Sequence, residues 1–216
     1  MTTSTPVGTP EDGVPLGSPD TGHVIEEVTE AARRVVAGVV RTSRDNPHLE
    51  RIRDTLREIA DLLDEHAPDV DTRLAEIWAT RPTRTGPVTG AENPVAPPVA
   101  FRGRGDGSVG ADVTLDLQYQ GPPAMVHGGI SALILDHALG NANDFAGRSG
   151  MTAELTVRYH RTTPLFEPLT VRARHLSTDG RKIRTVGDIR TADGRVCVSA
   201  EGLFIAGYPS TPPPVG

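Results

Sequence analysis

A single carboxylate interrupts an apolar run that is long enough to form a helix. Asp136 lies within residues 129–139, where Ile, Leu and Ala predominate. Burying an unpaired carboxylate is costly, and such groups respond with raised pKa values. Asp136 therefore either pairs with a neighbouring Arg or His, or acts as a general base or nucleophile in a dry site. The residues alone leave both interpretations open.

The beginning of the same helix offers backbone donors. His127, Gly128 and Gly129 stand at the start of the apolar run. The first N–H groups of a helix lack intrahelical partners and lie at the positive end of its dipole. Glycines let a ligand carbonyl approach these donors, as stabilisation of an oxyanion requires. By itself the tripeptide is equally typical of a tight strand-to-helix turn, but a carboxylate nine residues after the histidine favours the chemical interpretation.

Other catalytic or metal-binding arrangements are weak in this sequence. A triad of Ser131, His127 and Asp136 lacks the context of a nucleophile elbow. Cys197 is the only cysteine, which excludes an intramolecular disulfide and a multi-cysteine zinc site. The histidines are scattered, with no pair at zinc-ligand spacing near a third ligand. We therefore expect no metal and no cofactor.

The composition of the whole chain argues against a nucleic-acid-binding protein and against a membrane-spanning one. The 216 residues include 22 basic and 28 acidic side chains, a formal net charge of -6. No cationic excess is present to neutralise a phosphate backbone, so we expect no nucleic-acid partner. No run of about 18 apolar residues occurs, so we expect no membrane span. Residues 1–22 lack Lys, Arg and an apolar run, unlike a signal or transit peptide, and we expect a cytoplasmic protein.

Four segments divide the chain. Residues 1–22 are rich in Pro, Gly, Thr and Ser, and residues 207–216 contain three consecutive prolines. Both are predicted to be disordered tails. Residues 23–92 are predicted to form a helical extension and linker. Residues 93–206 are predicted to form the domain that carries the chemistry.

The extension contains two amphipathic helical patterns. The first covers residues 23–45, and the second begins at Asn46-Pro47 and ends at Pro68. Their apolar residues recur every three or four positions: Val24, Val28, Ala31, Val35 and Val39 in the first, and Leu49, Ile52, Leu56, Ile59 and Leu63 in the second. We predict a helical hairpin that packs on its own domain or on a second copy of the chain. Two to three heptads are too few to favour a coiled coil that docks another protein.

The remaining segment is dominated by strand patterns. Residues 81–110 are predicted to be a loop and residues 113–119 a strand, followed by a helix over residues 128–139 with Gly140 as its C-cap. Antiparallel strands are predicted over residues 152–159, 168–176, 182–191, 195–201 and 202–206. The helix is apolar on almost every side, which predicts that it is buried nearly all round, with the sheet wrapped about it. The fold class is α+β with one central helix.

Short motifs follow one another through this segment: Asn93-Pro94-Val95-Ala96-Pro97-Pro98, Gly121-Pro122-Pro123, Val126-His127-Gly128-Gly129, Asp136, Met151-Thr152-Ala153-Glu154-Leu155, Tyr159, Pro164 and Gly180-Arg181-Lys182. In order and spacing, these motifs resemble the PaaI-type acyl-CoA thioesterases of the hotdog superfamily. The resemblance covers residues 93–206 and leaves residues 1–92 unmatched. Ala124 departs from it, because close relatives often carry glycine there.

The resemblance implies both a fold and a set of catalytic residues. The fold is the hotdog, in which an antiparallel sheet wraps a central helix and two units form a dimer with a continuous sheet. Asp136 corresponds to the catalytic aspartate, and Gly128 to the glycine whose amide polarises the thioester carbonyl. His127 corresponds to the motif histidine, and Thr152 to the hydroxyl residue that helps to place the water.

The implied activity is hydrolysis of an acyl-CoA substrate to a free acid and CoA, as part of fatty acid metabolism. Asp136 would act as a general base on water or as a nucleophile, a choice that the sequence leaves open. A hotdog hydratase or dehydratase is one alternative, because it also uses a His and a carboxylate on acyl thioesters. A non-catalytic acyl-CoA-binding or sensing module, with the N-terminal helices as its output, is the other.

The phosphates of CoA require cations in the protein. The candidates are Arg158, Arg161, Arg181 and Lys182, because guanidinium groups match phosphate oxygens. For each of them, a solvated position on a strand is the plainer interpretation.

The spacing of two site residues predicts a shared site. Gly128 and Asp136 are eight residues apart, which is about 12 Å along a helix. Reacting groups must lie about 3 Å apart, or about 6 Å with one bridging water. One chain can therefore hardly supply both groups to the same carbonyl. We predict a homodimer, or a dimer of dimers, in which Gly128 of one chain faces Asp136 of the other.

Overall fold

The computed structural model describes residues 13–16, 22–80 and 84–207. The predicted tail beyond Gly207 and most of segment 1–22 lie outside these ranges. The helices are α1 (Val24–Arg41), α2 (Leu49–Asp64), α3 (Val70–Thr80) and α4 (Gly128–Phe145). The strands are β1 (Val14–Pro15), β2 (Arg102–Gly103), β3 (Val109–Thr114), β4 (Met151–Tyr159), β5 (Pro168–Asp179), β6 (Lys182–Thr191) and β7 (Val196–Ile205).

The strands form one antiparallel sheet in the order β1-β2-β3-β5-β6-β7-β4. β4 precedes β5 in the chain, yet it lies beyond β7 at the end of the sheet. Its register with β7 runs from Met151 opposite Ile205 to Tyr159 opposite Val198. Within the described part of the chain, the other edge of this nine-residue strand pairs with nothing.

The helix α4 packs against one face of the sheet and contacts β3, β4, β5, β6 and β7. Its buried residues include the apolar Ile134, Leu135, Ala138, Leu139 and Ala142, which recur at the spacing of a single helix face. The predicted arrangement of a sheet around a central helix is thus confirmed.

The opposite face of α4 is only half-buried, so the prediction that the helix is buried nearly all round is wrong for one chain. Leu133, Asp136, His137 and Gly140 lie on this face. The helix is apolar on both sides, but a single chain supplies a sheet for only one of them.

The end of α4 also differs from the prediction. Gly140 is an ordinary helical residue, and the helix continues to Phe145. Gly147 has a φ of 70°, and its N–H donates to the Asp144 carbonyl at 2.9 Å. Gly147 therefore supplies the left-handed helix terminus that was expected at Gly140.

Two strand boundaries differ from the prediction as well. β3 ends at Thr114, and Leu117–Tyr119 form a 3₁₀ turn, because the side chain of Asp116 accepts a hydrogen bond from the Leu117 N–H at 2.6 Å. The region predicted as two strands, 195–201 and 202–206, is the single strand β7. Gly202 continues its ladder opposite Leu155 and Thr185.

Part of segment 1–22 has regular structure, which departs from the prediction of a disordered tail. β1 pairs with β2, and the N–H of Leu16 donates to the carbonyl of Phe101 at 2.9 Å. The free edge of β2 provides the ladder that this short segment joins.

The helix α1 lies against the domain through a face that includes the half-buried Ile25 and Val36. Thr29 and Ala37 are its buried residues. Glu26 of α1 forms an ion pair with Arg84, which also pairs with Glu92 of the same loop. The predicted apolar positions, which we name the α1 stripe (Val24, Val28, Ala31, Val35 and Val39), are exposed.

The helix α2 has no buried residue at all. Its predicted apolar positions, named here the α2 stripe (Leu49, Ile52, Leu56, Ile59 and Leu63), are exposed or half-buried. α1 and α2 do not pack along each other, so the predicted hairpin does not form within one chain. α3 is an additional helix that the apolar spacing did not indicate.

No helix within the described ranges has the length and apolar character to cross a membrane.

Candidate active site

A small antiparallel turn delivers His127 to the start of α4. The N–H of His127 donates to the Tyr119 carbonyl at 2.9 Å, and the N–H of Gly121 donates to the Met125 carbonyl at 2.9 Å. A Cβ on residue 121 would lie 2.8 Å from the Cα of His127. Glycine at 121 therefore permits the close approach of the two chain segments.

The tip of this turn carries the residue that departs from the family pattern. Ala124 has a φ of 63°, and the N–H of Met125 donates to the Pro122 carbonyl at 3.0 Å. A positive φ at the third position of such a turn is favoured by glycine. The turn therefore favours glycine at this position, and this chain keeps the turn with alanine.

His127 caps the N-terminus of α4. Its Nδ1 accepts a hydrogen bond from the Gly129 N–H at 3.0 Å. The N–H of Gly128 meets no acceptor among the described residues. Of the two glycine donors considered from the sequence, only the Gly128 N–H is therefore available to a ligand.

Tyr159, at the end of β4, holds the first turn of α4 in place. Its hydroxyl donates to the Gly128 carbonyl at 3.0 Å, and a Cβ on Gly128 would lie 3.2 Å from its ring. Tyr159 belongs to the motifs that carry the family resemblance, but the resemblance implied no role for it. A polar aromatic residue at the end of an alternating strand was the only local signal.

Asp136 and Thr152 form a second polar contact between α4 and β4. The hydroxyl of Thr152 donates to Asp136 Oδ1 at 2.9 Å. No described residue donates to Oδ2. Asp136 is half-buried and Thr152 is exposed, so within one chain the carboxylate is not in the dry site expected from the apolar sequence around it.

One chain does not bring these two contacts together. Gly128 and Asp136 are separated by about 12 Å along α4, and their partners Tyr159 and Thr152 lie near opposite ends of β4. The predicted site residues thus form two half-sites, one around His127 and Gly128 and the other around Asp136 and Thr152.

His137, next to Asp136, is held by the loop between α3 and β2. Its Nε2 is 2.9 Å from Thr89 Oγ1, and its ring centroid is 5.9 Å from that of Phe101. Burial lowers the pKa of His137, against a smaller opposing effect of the carboxylates of Asp136 and Asp144. A neutral, packed histidine follows.

The four candidate phosphate ligands fall into two pairs. Arg158 and Arg161 are exposed near the Tyr159 end of β4, and Arg181 and Lys182 are exposed near the Met151 end. On β7, Val198 lies opposite Tyr159 and Ile205 lies opposite Met151. These two β7 residues are seven positions apart, or about 23 Å, so the two pairs of cations lie at opposite ends of β4. Arg181 also donates from Nε to the Ala206 carbonyl at 2.9 Å.

The described residues contain no group of three or more His, Cys, Asp or Glu side chains arranged to hold a metal ion. A recess of about 470 Å³ lies between the turn at residues 106–108 and the strands β5–β7. None of the candidate site residues lines it.

Two family models match the chain. The model described as the Thioesterase superfamily matches residues 124–198. The model described as the N-terminal helical domain of hypothetical protein RHA1_ro05818 matches residues 16–72.

Solved structures are similar over more of the chain. The crystal structure of protein RHA08564, a thioesterase superfamily protein, is 57% identical, with a TM-score of 0.81 over 89% of this chain and 96% of that chain. Zebra fish thioesterase superfamily member 2 is 15% identical, with a TM-score of 0.50 over 65% of this chain and 100% of that chain. The second similarity shows a common fold only.

Curated relatives are similar over a shorter segment. Acyl-coenzyme A thioesterase THEM4 of Bos taurus is 34% identical over 87 residues, which are 40% of this chain and 35% of that protein. The Mus musculus protein of the same name is 33% identical over 97 residues, 44% of this chain and 42% of that protein. The chain therefore spans less than half the length of these relatives.

Proposed function

This chain belongs to the thioesterase superfamily, and on that premise we propose that it hydrolyses the thioester of an acyl-CoA to a free acid and CoA. The observation that carries the proposal is the 2.9 Å hydrogen bond from Thr152 to Asp136, on a half-exposed face of the central helix. The THEM4 relatives, which are similar over 40–44% of this chain, bear the name acyl-coenzyme A thioesterase. The proposal keeps the cytoplasmic setting and the place in fatty acid metabolism expected from the sequence.

Asp136 supplies the base in this proposal. Thr152 occupies Oδ1 and fixes the carboxylate, which leaves Oδ2 to accept a proton from water. The water oxygen bonds to the thioester carbon while the carbonyl oxygen gains negative charge. The carbon–sulfur bond then breaks, and the CoA sulfur leaves with the proton that Asp136 holds.

Direct attack by Asp136 is the other form of the same proposal. The carboxylate displaces the CoA sulfur and forms an acyl anhydride, which water hydrolyses. Both forms need the same donor for the oxyanion.

That donor is the N–H of Gly128, at the positive end of α4. His127 supports it by occupying the neighbouring Gly129 N–H through Nδ1. A neutral imidazole that accepts at Nδ1 carries its proton on Nε2, so His127 can donate to the substrate carbonyl and is not needed as a base.

The site is completed by a second copy of the chain. The free edge of β4 allows two β4 strands to pair antiparallel about a two-fold axis. Such pairing places the Met151 end of one strand beside the Tyr159 end of the other. The Asp136 half-site of one chain then lies next to the Gly128 half-site of its partner. A shared site of this kind is needed because Gly128 and Asp136 of one chain are about 12 Å apart along α4.

The same pairing accounts for the divided set of cations. Arg158 and Arg161 accompany the Gly128 half-site, whereas Arg181 and Lys182 accompany the Asp136 half-site. An antiparallel dimer gathers one pair from each chain around each site, where they bind the phosphates of CoA.

The first experiment measures thiol release from a panel of acyl-CoAs. We expect thiol release by the wild-type chain and none by Asp136→Asn, which keeps the shape of the side chain but cannot act as base or nucleophile. Asp144→Asn, a carboxylate on the same helix that accepts a hydrogen bond from Ser149, is the matched control and should stay active. Hydration of an enoyl-CoA without thiol release would identify a hydratase, and tight binding with neither reaction would identify a sensor.

The second experiment tests the shared site by complementation. Gly128→Pro removes the N–H donor, and the ψ of 135° at His127 suits a following proline. Gly128→Ala adds the same Cβ contact with Tyr159 but keeps the donor, so it isolates the effect of the N–H. After joint refolding of inactive Gly128→Pro and Asp136→Asn chains, each mixed dimer contains one intact site, and we expect activity to return. If both variants fold and exchange subunits, an inactive mixture contradicts the shared site.

A further inference from the structure

The α1 stripe and the α2 stripe are apolar helix faces that the described chain leaves uncovered. The four valines of the α1 stripe are 40–62% exposed, and Ile52, Ile59 and Leu63 of the α2 stripe are 37–57% exposed. Amphipathic helices of this length are stabilised chiefly by burial of the apolar face. Both stripes therefore require a partner surface.

The two stripes match each other in length. The α1 stripe spans residues 24–39 and the α2 stripe spans residues 49–63, with apolar side chains every three or four residues in both. Two helices with this pattern can interdigitate along their whole length.

The charges beside the stripes favour one orientation. α1 is acidic in its first half, with Glu27 and Glu30, and basic in its second half, with Arg34 and Arg41. The cations of α2 all lie before residue 58. The charged residues that follow are all acidic: Asp61, Asp64 and the C-cap Glu65. A parallel alignment sets the basic half of α1 against the acidic half of α2, whereas an antiparallel alignment opposes like charges there.

One chain cannot make this parallel pair. Residues 42–48 connect the two helices through turns, with hydrogen bonds from the Asn46 N–H to the Ser43 carbonyl and from the Leu49 N–H to the Asn46 carbonyl. In a parallel pair, α2 would have to begin beside the start of α1. The short connection formed by these turns cannot span the length of α1, so it cannot place α2 there. We propose that the α1 stripe of one copy is covered by the α2 stripe of a second copy, in parallel, and reciprocally. The inference does not depend on the catalytic activity.

Cross-linking of the full chain tests this pairing. Cys197 is buried, so an introduced surface cysteine is the reactive thiol. Ala31→Cys and Leu56→Cys mark the middle of each stripe, and a short bifunctional maleimide reports their proximity. We expect a covalent dimer when the two variants are refolded together, and none when either variant is treated alone.

The other arrangements give different products. A dimer from Leu56→Cys alone means that α2 pairs with α2, and a dimer from Ala31→Cys alone means that α1 pairs with α1. A cross-linked monomer from the doubly substituted chain means that the helices pair within one chain. Each of these results, or the absence of any product, overturns the proposal.

Charge reversal tests the orientation. Adding Arg34→Glu and Arg41→Glu to the Ala31→Cys chain should reduce its cross-linking to the Leu56→Cys chain by about tenfold. Adding Asp61→Arg and Asp64→Arg to the Leu56→Cys chain should then restore the yield, because each helix pair again has complementary charges. A yield that is insensitive to the first change, or not restored by the second, contradicts the parallel pairing.

Discussion

The turn before His127 carries a local strain that one substitution can relieve. Ala124 has a φ of 63°, a conformation that costs a residue with a Cβ about 1–2 kcal/mol. We expect Ala124→Gly to raise the free energy of unfolding by about 1 kcal/mol, since the greater freedom of glycine in the unfolded chain offsets part of the gain. Urea unfolding measures the change.

Ala146→Gly is the matched control, because Ala146 has a φ of -80° and gains nothing from glycine. Equal effects of the two substitutions on the urea midpoint would show that Ala124 is not strained.

At the scale of residues, the resemblance could predict which side chains belong to the Asp136 half-site, but not that they bond to each other. It implied roles for Asp136 and Thr152, and in the structure the Thr152 hydroxyl donates to Asp136. Nothing in the sequence could predict that the hydroxyl of Tyr159 meets the Gly128 carbonyl. That contact depends on the register of α4 against β4, which side-chain patterning does not encode.

The packing of α4 makes stability depend on pH through His137. Burial holds the pKa of His137 below its ordinary value of 6.5, so the unfolded chain binds a proton more readily than the folded one. Stability is therefore lost as the pH falls through 6.5 towards the lower pKa of the folded state. We expect His137→Gln, which can keep the hydrogen bond to Thr89, to lose less stability over this range.

Thermal or urea unfolding between pH 7.5 and about 5 measures this difference. The negative charges of Asp136 and Asp144 favour the protonated imidazole, which reduces the effect of burial without reversing it. Identical pH dependence of wild type and variant would contradict a contribution from His137.

The bounds of an element could be predicted where a single hydrophobic pattern ran through the whole element. They were predicted wrongly where side-chain contacts or burial ended or extended the element. Alternation predicted β4 and β6 to within a residue at each end. It also predicted a strand over residues 113–119, but the Asp116 side chain turns the chain there. The end of α4 could not be predicted, because Gly140 and Gly147 are both plausible caps and burial of Ala142 and Asn143 carries the helix past the first.

At the scale of the whole molecule, the short strand β1 ties the N-terminal segment to the domain. Leu16 packs against the core and bonds to Phe101. Deletion of residues 1–22 should therefore lower the free energy of unfolding by about 1–2 kcal/mol, whereas deletion of residues 1–12 retains these contacts. We expect turnover to be unchanged in both truncations, because β1 lies at the end of the sheet opposite β4.

Urea unfolding and thiol release from the two truncated chains measure these effects. A similar decrease in the free energy of unfolding in both truncations would assign the decrease to residues 1–12. A loss of turnover in either truncation would show that residues 1–22 affect the proposed active site.

The sequence indicated two amphipathic helices but not which of their faces meets the domain. α1 turns the face with Thr29, Val36 and Ala37 inward and leaves the valines of the α1 stripe outside. Periodicity alone favoured the valine face as the buried one. The expected and observed buried faces differ because an apolar stripe can pack against a surface that belongs to a second molecule.

Two hydrogen bonds join α4 to β4, one at Gly128 and one at Asp136. A helix held at two points cannot slide along the strand or rotate about its own axis unless one of these bonds breaks. In the proposed reaction, Asp136 therefore keeps a fixed position, and acyl groups of different size are not accommodated by moving it. A new preference for acyl-chain length would then have to arise in the surfaces opposite α4 and β4, while these two hydrogen bonds are kept.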